Sequence, residues 1–128
     1  MKTTIINETG NWNGLWTDAL ISELKTNTDN VQVGEHLILE TEAFKVWSIA
    51  IPVGESLPFH KHNKPYFYTA IQPGKSRSFY ADGKIIETEY EANDIKYYND
   101  LNSAQYFIHN LENIGETTLI YTTVEFKK

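Results

Sequence analysis

The chain contains no cysteine. That absence removes disulfides, thiolate metal sites and a cysteine nucleophile together, and it accords with a reducing compartment. Arginine is nearly missing as well: Arg77 is the only one among 11 basic residues, which 17 acidic residues outnumber to leave a net charge of -6. Phosphate binding needs a basic stripe, and scattered lysines do not supply one, so a nucleic-acid partner is excluded. No stretch reaches the roughly 20 apolar residues of a membrane span, and MKTTIINETGNW lacks the apolar run of a signal peptide. The expected location is therefore the cytoplasm, with no membrane partner. Internal repeats, low-complexity tracts and long linkers are also absent.

What remains is ordinary globular material. At 128 residues, with 41% hydrophobic and 22% charged, the chain can bury a core without disulfides or a structural metal, and one compact domain is expected. Residues 1–30 differ from the rest. In GLWTDALISELKTNTDN, Leu15, Ala19, Leu20 and Leu24 recur at helical spacing, which predicts a helix of about three turns. Thr17 or Asp18 can cap it by accepting from open backbone donors of the first turn. Residues 1–30 are thus read as an N-terminal extension with one short helix, and 31–128 as the main unit.

From Val31 onward the helical signal stops. Eight short segments rich in β-branched and aromatic residues follow: HLILET, FKVWSIAI, PYFYTAI, SRSFYA, KIIETEY, DIKYY, QYFIHNL and TTLIYTTVEF. Gly54, Gly74, the Asp82-Gly83 turn and Gly115 punctuate them, and no crossover helix separates them. This is an all-β sandwich or barrel rather than a parallel α/β sheet. The many tyrosines and phenylalanines of the second half, with Trp16 and Trp47, are read as packing residues, because a base-stacking platform would need the basic groove that is missing.

Four histidines are present, and three draw attention. On a strand, His60 and His62 project to the same face with Lys61 between them facing away, so both imidazoles can chelate one cation. Imidazole suits iron, nickel, copper or zinc and binds in its neutral form. An isolated pair of this kind in a polar stretch is ordinarily two surface histidines. His109 lies in QYFIHNLEN, where alternation groups it with Phe107 and Leu111 on the inward face; alone, it reads as a hydrogen-bonded core histidine. His36 has no partner at ligand spacing and reads as a surface residue.

The combined pattern resembles the cupin superfamily. Gly54, five residues, His60-Lys61-His62 and then Gly74 are similar to the first cupin motif; His109, three residues, Asn113, Ile114 and Gly115 are similar to the end of the second. The resemblance covers roughly residues 31–128. It implies a jelly-roll β-barrel in which His60, His62 and His109 converge on one divalent metal: iron, nickel, manganese or zinc. Seven residues before Gly74, where the family commonly carries a glutamate, stands Phe67, with Tyr66 beside it. The site should then resemble three-histidine cupins with open positions for water, oxygen or substrate. Ala92-Asn93-Asp94 and YYNDLNSAQYF depart from the second motif and make the loop before His109 irregular. VWSIAIPVGESLPFHKH, YADGKIIETEY and HNLENIGETTLIYTTVEF resemble the small bacterial cupins assigned to β-alanine degradation, which implies small amino acids, semialdehydes and short carboxylates as the chemical context. Homodimerisation is a further expectation of that resemblance.

Candidate ligand-binding residues are Arg77, Phe67, Gln105 and Tyr98. Arg77 offers a planar fork for a carboxylate, unless strand parity turns it outward as an ordinary surface charge. Phe67 stands where a carboxylate ligand would be. Gln105 and Tyr98, with Tyr97 and Tyr106, flank the irregular loop. Two functions fit: a metal-dependent enzyme, dioxygenase-like or isomerase/hydrolase-like, acting on a small carboxylate or carbonyl metabolite, or a non-catalytic metal- or ligand-binding accessory or sensor protein.

Overall fold

The computed structural model describes residues 1–128. Ten strands and one helix follow the chain: β1 (Lys2–Asn7), α1 (Asp18–Thr26), β2 (His36–Glu40), β3 (Phe44–Ile51), β4 (Ser56–His62), β5 (Tyr66–Ala70), β6 (Gly74–Phe79), β7 (Ile85–Tyr90), β8 (Ile95–Tyr98), β9 (Phe107–Asn113) and β10 (Leu119–Phe126). All strand pairs are antiparallel. They form two five-stranded sheets, β1-β7-β6-β9-β4 and β2-β3-β10-β5-β8. This is the all-β jelly-roll arrangement expected from the spacing of the segments, with two strands beyond the eight. β1 escaped notice because its pattern is half polar; β4 is the strand on which His60 and His62 were placed, outside the eight segments.

Alternation explains the inner core. Along β10, Leu119, Tyr121, Thr123 and Glu125 are buried while the residues between them are half-buried, the period of two that a strand imposes. Leu119 and Tyr121 join Ile49, Ile51 and Ala70 of the same sheet and Leu57 and Tyr90 of the other, so this cluster fills the space between the sheets.

A second cluster lies outside the first sheet. Phe59, Phe79, Ile85 and Ile108 meet Trp16 and Leu24 there. The N-terminal segment therefore covers the outer face of that sheet. Thr17 caps α1 through its side-chain oxygen, which accepts from the Leu20 N–H at 3.1 Å. The Trp16 indole N–H donates to the Gly83 carbonyl at 2.9 Å. Gly83 has a φ of +97°, and a Cβ there would stand 3.0 Å from the Asn11 backbone nitrogen, so both the turn and the close approach favour glycine. Residues 1–30 do more than the extension reading anticipated. They supply the edge strand β1, paired with β7, and a cover for the sheet that carries the histidines.

That cover reaches β4 directly. Asn30 accepts from the Lys61 N–H at 2.7 Å through its carbonyl and donates to the Phe59 carbonyl at 2.9 Å through its side chain. β4 is an edge strand, and Asn30 satisfies its free backbone groups on either side of His60.

Candidate metal centre

Two strands build the site. In the β4–β9 ladder His60 lies directly opposite His109, and His62 opposite Phe107. Further along the same ladder Leu57 lies opposite Leu111, so two residues of β4, Pro58 and Phe59, face one residue of β9, Asn110. This is a β-bulge. Its effect is on parity: Leu57 and His60 are three apart and would point to opposite faces of a regular strand, yet both line the interior cavity. Phe59 turns outward, fully buried beneath Trp16. Proline suits a bulge, since no ladder N–H is lost there.

The three imidazoles converge. Ring centroids are 4.8 Å apart for His60 and His62, 4.8 Å for His60 and His109, and 5.1 Å for His62 and His109. One ligand nitrogen from each lies within 4.8 Å of the others. His60 Nδ1 is 2.7 Å from the Pro58 carbonyl oxygen, which can only accept. Nδ1 therefore carries the proton and Nε2 is left with its lone pair. The rings of His62 and His109 have buried Nδ1 atoms with no hydrogen-bond partner. Aromatic packing orients them instead: Tyr66 stacks on His62 at 4.0 Å, Tyr98 stacks on Tyr66 at 4.9 Å, and Phe107 lies 5.0 Å from both His62 and His109.

Burial keeps these rings neutral. It holds the His60 pKa down to about 4, against the opposing hydrogen bond to Pro58. His62 and His109 are pushed well below the usual histidine value, first by burial and then by their histidine neighbours. The donor set fits a divalent cation: three neutral imidazoles, no hydrogen bond competing at the convergent nitrogens, and buried polar atoms without partners.

A pH effect follows. Between about pH 6.5 and 4 the unfolded chain takes up protons that the folded chain refuses, so stability present above pH 6.5 is lost as pH falls through this window. His60 alone accounts for on the order of 3 kcal/mol across it. Urea unfolding of the metal-free protein at pH 7.5 and 5.0 should show a lower midpoint at pH 5.0; equal midpoints would contradict the neutral-ring arrangement.

The cavity beside the histidines has a volume of about 210 Å³. Six tyrosines line it, Tyr66, Tyr68, Tyr80, Tyr90, Tyr98 and Tyr121, and no aspartate or glutamate does. Lys96 is the one lysine or arginine in the lining. Thr3 and Ile5 of β1 and Lys96 of β8 are lining residues that are also exposed, so the cavity opens between these two edge strands.

No protein-family model matches the chain, and no curated protein matches it in sequence. Solved structures do match in shape. A cupin domain from Bordetella pertussis Tohama I superposes with a TM-score of 0.62 at 16% identity, covering 78% of this chain and 97% of that one. An RmlC-like cupin family protein with a double-stranded β-helix fold from Methanocaldococcus jannaschii gives 0.56 at 22% identity, covering 71% and 76%. A protein with a double-stranded β-helix domain from Klebsiella pneumoniae gives 0.56 at 19% identity, covering 89% and 90%. The fold is a cupin fold.

Within this cupin fold, the four candidate ligand-binding residues fall in different places. Tyr98 lines the cavity. Arg77 does not: Ser76 and Ser78 take the inward positions of β6, and Arg77 turns outward. Its Nε and Nη2 donate to Glu87 at 2.9 and 2.7 Å, with Glu112 3.5 Å away. Phe67 also faces away, packed against Phe126 and Tyr97. Its neighbour Tyr66 takes the inward position beside His62, so the resemblance led to the wrong residue of the pair. Gln105 is exposed and holds the loop together, donating to Asp100 at 2.9 Å and exchanging backbone hydrogen bonds with Asn102. His36 is exposed, as read from the sequence. Arg77→Ala is expected to leave metal affinity unchanged, since its guanidinium turns away from the cavity to Glu87. A lost metal site in that variant would overturn the placement.

Proposed function

We propose that this chain is a member of the cupin superfamily that binds one divalent metal, iron, nickel, manganese or zinc, through His60, His62 and His109, and acts on a small carboxylate or carbonyl metabolite. The observation that carries the reading is the convergence of three neutral imidazoles, two buried and one half-buried, on one point of the interior cavity. Such an ion, when bound, supplies Lewis acidity toward an oxygen ligand and, if it is iron, a means of activating oxygen. Three neutral ligands leave its charge uncompensated, and no carboxylate in the lining offsets it. An anionic ligand is therefore favoured. Tyr66 and Tyr98 hold the His62 ring, Phe107 shields it, and the tyrosine hydroxyls stay protonated: burial raises the pKa of Tyr98 to about 12 and that of Tyr66 well beyond the usual range. These groups can donate hydrogen bonds to a bound ligand but do not act as bases near neutral pH.

The resemblance to β-alanine-degradation cupins suggests semialdehydes and short β-carbonyl acids in the cytoplasm as first substrates to test. Oxygen consumption by the iron-loaded protein with such compounds supports a dioxygenase; isomerised or hydrolysed product without oxygen use supports the other enzyme class. A metal-loaded protein that binds these compounds and turns over none is the accessory or sensor protein of the second reading, which the absence of an acidic general base from the cavity favours.

A further inference from the structure

The outer faces of the two sheets differ in chemistry. On the sheet that carries the histidines, that face is partly covered by Trp16 and Leu24 and is otherwise charged: Arg77, Glu87 and Glu112 join three strands, and Lys75 lies beside Glu89. The sheet β2-β3-β10-β5-β8 has no such layer. α1, the one helix, lies against β4 of the other sheet.

Its outward positions also carry no charge. In β3, β10, β5 and β8 the side chains that alternate with the inward-facing ones include no aspartate, glutamate, lysine or arginine. The strand registers set them in three rows. Val46, Val124, Phe67 and Tyr97 form the first; Ser48, Thr122, Thr69 and Ile95 form the second. Ala50 and Ile120 form the third, with Ile71 just past the end of β5 donating its N–H to the Ile120 carbonyl. Ile71, Ile95 and Tyr97 are 45%, 61% and 59% exposed. An antiparallel sheet with one face in water ordinarily places polar side chains on that face, and a contiguous uncharged surface in its place marks an interaction site.

Size and pattern narrow the occupant. Strands about 4.8 Å apart, rising about 3.4 Å per residue, give the face a plan area on the order of 400 Å², and its accessible surface is larger. Two such faces meeting bury about 1,000 Å² or more, enough for a stable protein–protein contact. An anionic lipid surface or a nucleic acid would be met by lysines and arginines, and none stands here. The face matches itself instead. β10 is the central strand of the five, and Thr122 lies in its middle row with an apolar row on either side. A two-fold axis along that row sets hydroxyl against hydroxyl, each able to donate and accept, and apolar row against apolar row.

We propose that this face is the contact between two copies of the chain, packed sheet against sheet about a two-fold axis passing over Thr122. The homodimer expected from the sequence thereby gains a definite surface, and the proposal rests on that surface alone, independently of the metal reading. Aligned sheets pack about 10 Å apart, which brings the two Thr122 side chains face to face.

Sedimentation equilibrium of the whole chain between 1 and 100 µM tests it, with zinc stoichiometry measured on the same samples. Wild type should sediment at twice its 14.8 kDa. Thr122→Lys sets like charges opposite each other and should weaken the dimer at least about a hundredfold, with one zinc per chain retained. Thr122→Cys, close in size to the native residue, introduces the only thiol of the chain. A short bismaleimide should link it into a covalent dimer and leave Glu89→Cys, on the outer face of the other sheet, unlinked. Monomeric wild type across the range overturns the proposal and leaves the face to a different protein. A dimer whose Thr122→Cys form does not cross-link, or that Thr122→Lys leaves intact, overturns it by placing the contact elsewhere. Should Thr122→Lys fail to fold, the cross-linking result decides. Loss of zinc binding by wild type would count against the metal reading and not against this one.

Discussion

His109→Ala should weaken binding of zinc or nickel by at least about a hundredfold at pH 7.5, while His36→Ala leaves it unchanged. Removing an outer-sphere partner of a metal-bound histidine typically costs 10- to 100-fold in affinity, and removing the ligand itself costs more. A hundredfold corresponds to about 2.7 kcal/mol. The remaining pair, His60 and His62, sits on one strand and cannot surround an ion; His109 supplies the opposing strand. Competition titration against a chromophoric chelator reads the effect directly. The metal-free variant should fold like wild type, because the His109 ring leaves its buried Nδ1 unpartnered and its removal frees no new unsatisfied group. Equal metal affinity in wild type and His109→Ala would show that the three rings do not act as one site.

Phe59→Ala should cost about 3–5 kcal/mol in urea unfolding, as large buried aromatics do when truncated. Phe59 is 0% exposed and packs in the outer cluster with Trp16, whose ring lies parallel at 6.1 Å. It occupies the bulge that reverses the parity of β4, so the packing on one face of the sheet sets the direction of His60 on the other. Metal affinity should therefore fall along with stability, even though Phe59 touches neither the cavity nor the ion. Phe67→Ala, on the outward face of the second sheet, is the control: its cost should be less than half as large, with metal affinity unchanged. A loss below about 1 kcal/mol for Phe59→Ala would mean that the N-terminal cover does not hold the bulge.

Much of this arrangement was legible in the residues, and the reasons differ from strand to strand. Alternation placed His109 on the same face as Phe107 and Leu111, and β9 does present these three toward the interior. Helical spacing and a capping threonine located α1. Parity failed where a local rule was broken or was silent. Nothing in SLPFHKH announces that Pro58 and Phe59 share one opposing residue, although that bulge puts Leu57 and His60 on one face. On β5 and β6 the pattern is ambiguous: YFY offers three aromatics in a row, and SRS offers no apolar residue to mark the inward face. Tyr66 could be reached only by following β5 inward from His62, and Arg77 only from knowing that Ser76 and Ser78 face the core. β1 was missed because an edge strand with one covered face needs little hydrophobic alternation.

X-ray absorption at the metal edge tests the central claim most directly. Protein loaded with one equivalent of zinc should show three imidazole nitrogens at about 2.0–2.1 Å, completed by light solvent or ligand atoms. A coordination shell with fewer than three imidazoles, or one that does not change in His109→Ala, would contradict it.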